Sequence, residues 1–378
     1  MYSLGTSLVQ NWFWVNWMRK FKELSAVSKI LILLLLIVLV GAWGVVGVVL
    51  GKKSVRALEI KSPVATLINE KIPKIADYPN PINGVLYTKR DAATWKDRVP
   101  LAIMVENSVV ARPQSGLSKA DIVYEALAEG GVTRFAAIFL SQGSQVGPVR
   151  SARDYYYDWI SEYKAAYSHW GGNQYVRVLA SQLFGAKDLD QFVIGSPTYY
   201  RLCYGEHCGY TSTDNLWNVA TARGVNKPVQ IESWRFKDDS PSKSPNAVEV
   251  TVSFQGDYGY VVVWRYDPAT NSYLRSNGGA AHIDKETGQQ IRVKTIVVCS
   301  LQNLGYKIVT GVANRNFQTL GENNVKIFQD GTLSEGVWKK ASRESRTRFY
   351  DTSGKEIALN QGQIWMEMIP AGSAVSYK

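Results

Sequence analysis

The stretch Gly147-Pro148-Val149-Arg150-Ser151-Ala152-Arg153-Asp154 places two arginines three residues apart, between an apolar run and the aromatic-rich segment 155–167. If that segment is a helix, arginines at i and i+3 on its first turn face the same way, and the free amides there add positive potential. A guanidinium fork matches a carboxylate or phosphate, so the chemistry expected here is capture of an anion. Arg112 and Arg134 extend the candidate binding set, and Asn173, beside Gly171-Gly172, adds a polar group.

Groups able to move a proton lie close by. Glu106, Asp121, Glu125 and Glu129 precede the arginines; Glu125 and Glu129 share a face if helical and could act as acid and base. They could equally sit on an edge strand, or pair with Arg112, Arg134 and Arg150 inside a polar cleft. Asp154 follows the arginine pair, and His169 in Ser-His-Trp-Gly-Gly-Asn is either a general base or a group capping a helix end. The catalytic candidates are thus Glu125, Asp154 and His169. No Gly-x-Ser-x-Gly, Gly-x-x-x-x-Gly-Lys-Ser/Thr or His-Glu-x-x-His motif occurs, so no metal and no cofactor is expected. His282 and Asp284, after Gly278-Gly279, read as a surface turn.

Cys203 and Cys208 bracket Tyr-Gly-Glu-His and are expected to close a local disulfide in an oxidising compartment. A zinc site from Cys203, His207 and Cys208 lacks a fourth ligand. Cys299, in Thr-Ile-Val-Val-Cys, reads as a core thiol.

These residues need a scaffold, and the pattern supplies one in five parts. Residues 30–50 are 21 uncharged, mostly apolar positions, enough at ~1.5 Å per residue to span a bilayer core of about 30 Å. They exceed the usual apolar region of a signal peptide and lack a clear cleavage site, so a single membrane anchor is expected. Cations flank it almost equally; the short 1–29 tail is placed inside and the rest of the chain outside. A Pro-bearing stalk covers 51–80. Residues 81–240 alternate apolar strands with helical runs, as a layered α/β domain would. Residues 238–245 form a polar, proline-broken linker. From 246 to 378 apolar residues recur with a period of two, as in antiparallel strands. The fold class expected is α+β after one transmembrane helix.

Net charge is +11, of which residues 1–50 contribute +3. A basic extracytoplasmic domain attracts anionic headgroups or acidic wall polymers. No nucleic-acid motif is present, and the anchor argues against that partner. The membrane itself, through 30–50, is the one partner the sequence names.

Four ordered motifs carry a family resemblance: Asn107-x-x-x-Ala-Arg-Pro-Gln-Ser-Gly-Leu117, Ala120-Asp-Ile-Val-Tyr-Glu125, Glu129-Gly-Gly-x-Thr-Arg-Phe135 and Gly147-Pro-Val-Arg-Ser-Ala-Arg153. From about residue 83 to the C-terminus the chain resembles the YerB-type bacterial envelope proteins, a family of unknown activity. The resemblance implies an N-terminal domain followed by a separate β-rich C-terminal one. Members that are lipoproteins carry a lipidated cysteine where this chain has an apolar span. Thr213-Asp214-Asn215 stands where the family tends to show Pro-His-Asn, which weakens any role for a histidine there. A fainter similarity, in Val149-Arg-Ser-Ala-Arg-Asp154, Gly171-Gly172 and Asp188-Leu-Asp190, is to the LytR-CpsA-Psr phosphotransferases. The function expected is binding of an anionic envelope ligand through Arg112, Arg134, Arg150 and Arg153. The alternatives are a phosphoryl- or glycosyl-transferring enzyme and a non-catalytic interaction scaffold.

Overall fold

The computed structural model describes residues 76–254, 258–309 and 311–378, together with Ser25 and Ser28. The expected anchor at 30–50, all of the 1–29 tail but Ser25 and Ser28, and residues 51–75 of the expected 51–80 stalk lie outside the described residues. Among the described residues no helix is long and apolar enough to cross a membrane. Lys74–Lys378 form one compact unit.

The first half supplies five strands of a large sheet. Largely apolar runs become fully buried strands: β1 (Leu101–Glu106), β2 (Ile122–Leu127) and β3 (Thr133–Phe139), with Glu125 and Arg134 carried inside the last two. β3 lies between β1 and β2 and is antiparallel to both. β4 (Ala166–His169) and β5 (Asp188–Asp190) extend the other edge of β1 in parallel. Between β4 and β5 runs helix α1 (Gln174–Phe184). The tight turn before it requires Gly171: φ is +65°, and an added Cβ would fall 2.2 Å from the Phe192 ring.

The folded region starts ahead of residue 81. Ala76–Pro79 pairs with Leu86–Thr88, and the amides of Asn80 and Asn83 donate to Asp121 Oδ1 at 2.9 and 2.7 Å. Asp121 also accepts from Ser141 Oγ at 2.6 Å and from the Leu140 and Ser141 amides. It is a buried pin, and five donors offset its loss of water.

The second half is mostly antiparallel β, as its period of two predicts. β6 (Glu249–Val252), β7 (Val262–Asp267) and β8 (Ser272–Asn277) form a smaller sheet with Val375–Tyr377 at its edge. β9 (Thr295–Leu301) is followed by a two-stranded hairpin, β10 (Asn303–Val309) and β11 (Val312–Phe317). Then come β12 (Gly321–Gln329), β13 (Thr332–Lys340), β14 (Arg348–Asp351) and β15 (Ile364–Pro370).

The two halves share one ten-stranded sheet, ordered β14-β13-β12-β9-β15-β2-β3-β1-β4-β5. β15 sits parallel between β9 and β2, so the polar 238–245 segment separates sequence regions and not sheets. Aromatic rings fill the seam: Trp365 lies edge-on to Phe135 and Trp264, with centroids 5.3 and 5.5 Å apart. Such a ring withdraws roughly 150–250 Å² from water, worth about 4–6 kcal/mol at ~25 cal/mol/Å².

Candidate functional site

β1, β2, β4 and β5 all run in one direction, and one cleft lies beyond the carboxyl ends of β2, β4 and β5. The chain leaving β2 carries Glu129, that leaving β4 carries Trp170, Gly172 and Asn173, and that leaving β5 carries Phe192; all line this cleft of about 490 Å³. Residues 149–152 cross these ends as an extended strip. The Arg150 amide bonds to Met104 O at 2.9 Å, the Trp170 amide to Arg150 O at 3.0 Å, and the Ala152 amide to Gly171 O at 3.0 Å. Arg150 and Arg153 therefore reach the cleft from extended backbone, and the helical turns begin only at Asp154. The expected shared helical turn is absent, yet both side chains line the cavity.

Each arginine already meets a carboxylate. Arg153 gives Glu129 hydrogen bonds of 2.7, 2.8 and 2.6 Å. Burial opposes both charges, but this pairing outweighs it, holding Arg153 above and Glu129 below their ordinary values. Arg150 Nη2 lies 2.6 Å from Glu206 Oε2, and its Nε is 3.5 Å from the buried Glu106. Glu106 in turn faces His207 Nδ1 at 3.0 Å. Cys203 and Cys208 form a disulfide, with Cα atoms 5.2 Å apart, and so close the loop that carries Glu206 and His207.

The other candidates do structural work. Arg112 stands in the seam between the halves, its guanidinium donating to Asn107 Oδ1, to Asn107 O and, at 2.8 Å, to Gly259 O. Arg134 is buried and donates to Ser151 O at 3.2 Å; loss of water, then the Arg153 charge, bring it down to about 10. The four arginines thus do not converge: two line the cleft and two do not. Asn173 lines it too, but caps α1 by accepting from the Val176 amide at 3.0 Å and donates to Asn314 Oδ1.

None of the three acid/base candidates lines this cleft. Glu125 is on a strand, not a helix, so its i, i+4 relation to Glu129 means nothing; it is sealed in the core against Arg275. His169 is buried, its Nε2 2.9 Å from Asp188 and its Nδ1 2.8 Å from Gly171 O. Asp154 pairs with Lys307 at 2.5 Å on another face. His282 and Asp284 are not a surface turn: His282 meets Gln114 Oε1 at 2.7 Å, and Asp284 accepts the Gly116 and Ser118 amides. Glu206, Trp170 and Phe192 were missed as site residues. The one signal for them was position, each lying just beyond a strand end or inside the cysteine loop.

Comparison with known proteins agrees with the ordered motifs. Residues 87–226 match the N-terminal domain, and residues 250–366 the C-terminal domain, of the family described as protein of unknown function (DUF3048). A relative from Bacillus subtilis (strain 168), named "Putative lipoprotein YerB", is 31% identical over 293 residues, covering 74% of this chain and 84% of the relative. The crystal structure of YerB protein from Bacillus subtilis superposes with a TM-score of 0.68 at 28% identity, over 79% of this chain and 99% of that one. By motif order, sequence and fold, the chain belongs to this YerB-type family, whose activity is unknown.

Proposed function

We propose that this protein is a membrane-tethered envelope protein that binds an anionic phosphate-bearing ligand, without transforming it, between Arg150 and Arg153. The observation that carries this reading is the cleft at the carboxyl ends of the parallel strands β2, β4 and β5. Open sheets flanked by helices take ligands at that edge. Two arginines line it, and α1, capped by Asn173, begins there, so its amide end adds to their potential. Trp170 and Phe192 supply apolar wall beside the charges. A binding role is favoured over catalysis because Glu125, Asp154 and His169 are each engaged elsewhere. The envelope location rests on the apolar 30–50 segment and on the lipoprotein name of the relative.

The test is calorimetric titration of the full chain in detergent with three probes. These are inorganic pyrophosphate, an anionic phospholipid carried in the same detergent micelles, and a soluble polyphosphate chain. Binding of the first probe alone or with the second points to a headgroup, and preference for the third to a wall polymer. Arg150→Ala with Arg153→Ala is expected to weaken binding at least tenfold, since a hydrogen bond to a charged group contributes about 1.5–3 kcal/mol. Undiminished affinity in a variant that melts cooperatively would sink the proposal.

A scaffold role has one observation in its favour. The β10–β11 hairpin exposes Leu304, Tyr306, Ile308 and Val312, and Val312 also lines the cleft.

A further inference from the structure

Resting on the anion-site reading above, we infer that Glu206 is a built-in competitor for the ligand, held on Arg150 by the disulfide-closed loop. Among the described residues, Glu206 alone occupies both terminal nitrogens of Arg150: its carboxylate lies 2.6 Å from Nη2, and its backbone carbonyl accepts from Nη1 at 3.3 Å. An anionic group brought by a ligand would need the Nη2 donor that the carboxylate holds.

The two carboxylates paired with the cleft arginines differ in how firmly they are held. Glu129 grips Arg153 by three hydrogen bonds and its side chain is 38% exposed. Glu206 is 66% exposed, and neighbouring Tyr204 and Leu202 stand out in solvent. An exposed pair of this kind adds little and is screened by salt.

The loop itself is nevertheless fixed at its base. The Cys203–Cys208 bond closes it, the Leu202 amide bonds to Cys208 O at 3.0 Å, and the Val149 amide bonds to Gly209 O at 2.6 Å. His207 leans on Glu106 at 3.0 Å. The disulfide thus keeps the Glu206 carboxylate at high local concentration over Arg150, and a ligand enters by displacing that one side chain while the loop base stays in place. Every anion then binds more weakly by the same small factor, so ligands of low affinity lose occupancy first.

The experiment is pyrophosphate titration of the full chain as wild type, Glu206→Gln, Cys203→Ser with Cys208→Ser, all three substitutions together, Arg150→Ala, and Glu335→Gln as a distant carboxylate control. Glu206→Gln is expected to tighten binding by up to about fivefold, the factor one exposed ion pair can contribute. The serine variant should tighten it in the same direction, and combining the two should add nothing further. If Arg150→Ala loses binding while Glu206→Gln leaves it equal or weaker, the competitor role falls and the anion site stands. If Arg150→Ala binds as well as wild type, or if neither wild type nor Glu206→Gln binds pyrophosphate, the anion site falls and this inference with it.

Discussion

Glu125 on β2 and Arg275 on β8 are 150 positions apart in the sequence and form an ion pair in which both side chains are wholly buried. Thr133 Oγ1 donates to Glu125 at 2.6 Å, and Asn107 Nδ2 and Trp365 Nε1 each do so at 3.2 Å. Arg275 sits 4.5 Å over the Trp365 ring. One half of the chain therefore neutralises a charge that the other half buries.

Removing a single partner leaves the other charge uncompensated in a dry site. Glu125→Gln or Arg275→Met should each lower stability by about 3–5 kcal/mol, read as the shift in a urea unfolding curve. The double variant should recover part of that loss, and pyrophosphate binding by the folded fraction should stay unchanged. Additive losses would show that the pair itself is not what joins the halves.

The same seam sets a pH range. Burial, then the Glu125 charge alongside, raise the Glu367 carboxyl well above its ordinary 4.5, so the folded state holds its proton. Its contribution is complete below 4.5 and is lost as pH rises through the raised value. Burial, then the charges of Arg275 and Arg112, push His282 well below its ordinary 6.5, so the folded state keeps it neutral. That contribution is present above 6.5 and is lost as pH falls from there toward the lowered value. Melting temperature measured between about pH 4 and pH 9 should therefore decline on both sides. Glu367→Gln should flatten the alkaline decline and His282→Gln the acid one; unchanged profiles in both variants would refute the assignment.

His169 looks catalytic in sequence and is structural in the fold. His169→Ala would leave Asp188 Oδ1 and Gly171 O without their ring partner, at a cost of about 1–3 kcal/mol for each buried group left unpaired. Thermal stability should fall accordingly, while affinity for pyrophosphate changes less than twofold. A selective loss of binding without a loss of stability would return His169 to the site.

Much of the architecture could be read from local pattern. Leu101–Val105 and Phe135–Phe139 are uninterrupted apolar runs, and Glu249–Val252 alternates, because burial on two faces or one writes those patterns directly. Strand partners are not written locally. Nothing near Ile122 tells that its neighbour is Ile364, and so the shared sheet was invisible. Arg150 and Arg153 were found by residue type, but backbone bonds to Met104 and Gly171 hold them extended where spacing predicted a helix. Arg112 and Arg134 have the same chemistry and were indistinguishable until burial separated them. His282 followed a Gly-Gly turn and read as exposed because its partner, Gln114, comes from the other half.

The central place of β15 bears on synthesis. Glu125 and Trp365, on neighbouring strands, are 240 positions apart, so at ~5–20 residues per second a ribosome takes on the order of ten seconds or more to make the second after the first. Throughout that interval the nascent chain carries β2 with one flank bare, an apolar strand open to any other extended peptide. A product cut short anywhere before Ile364 keeps that flank for good, so early termination yields a sticky fragment and not a smaller working protein.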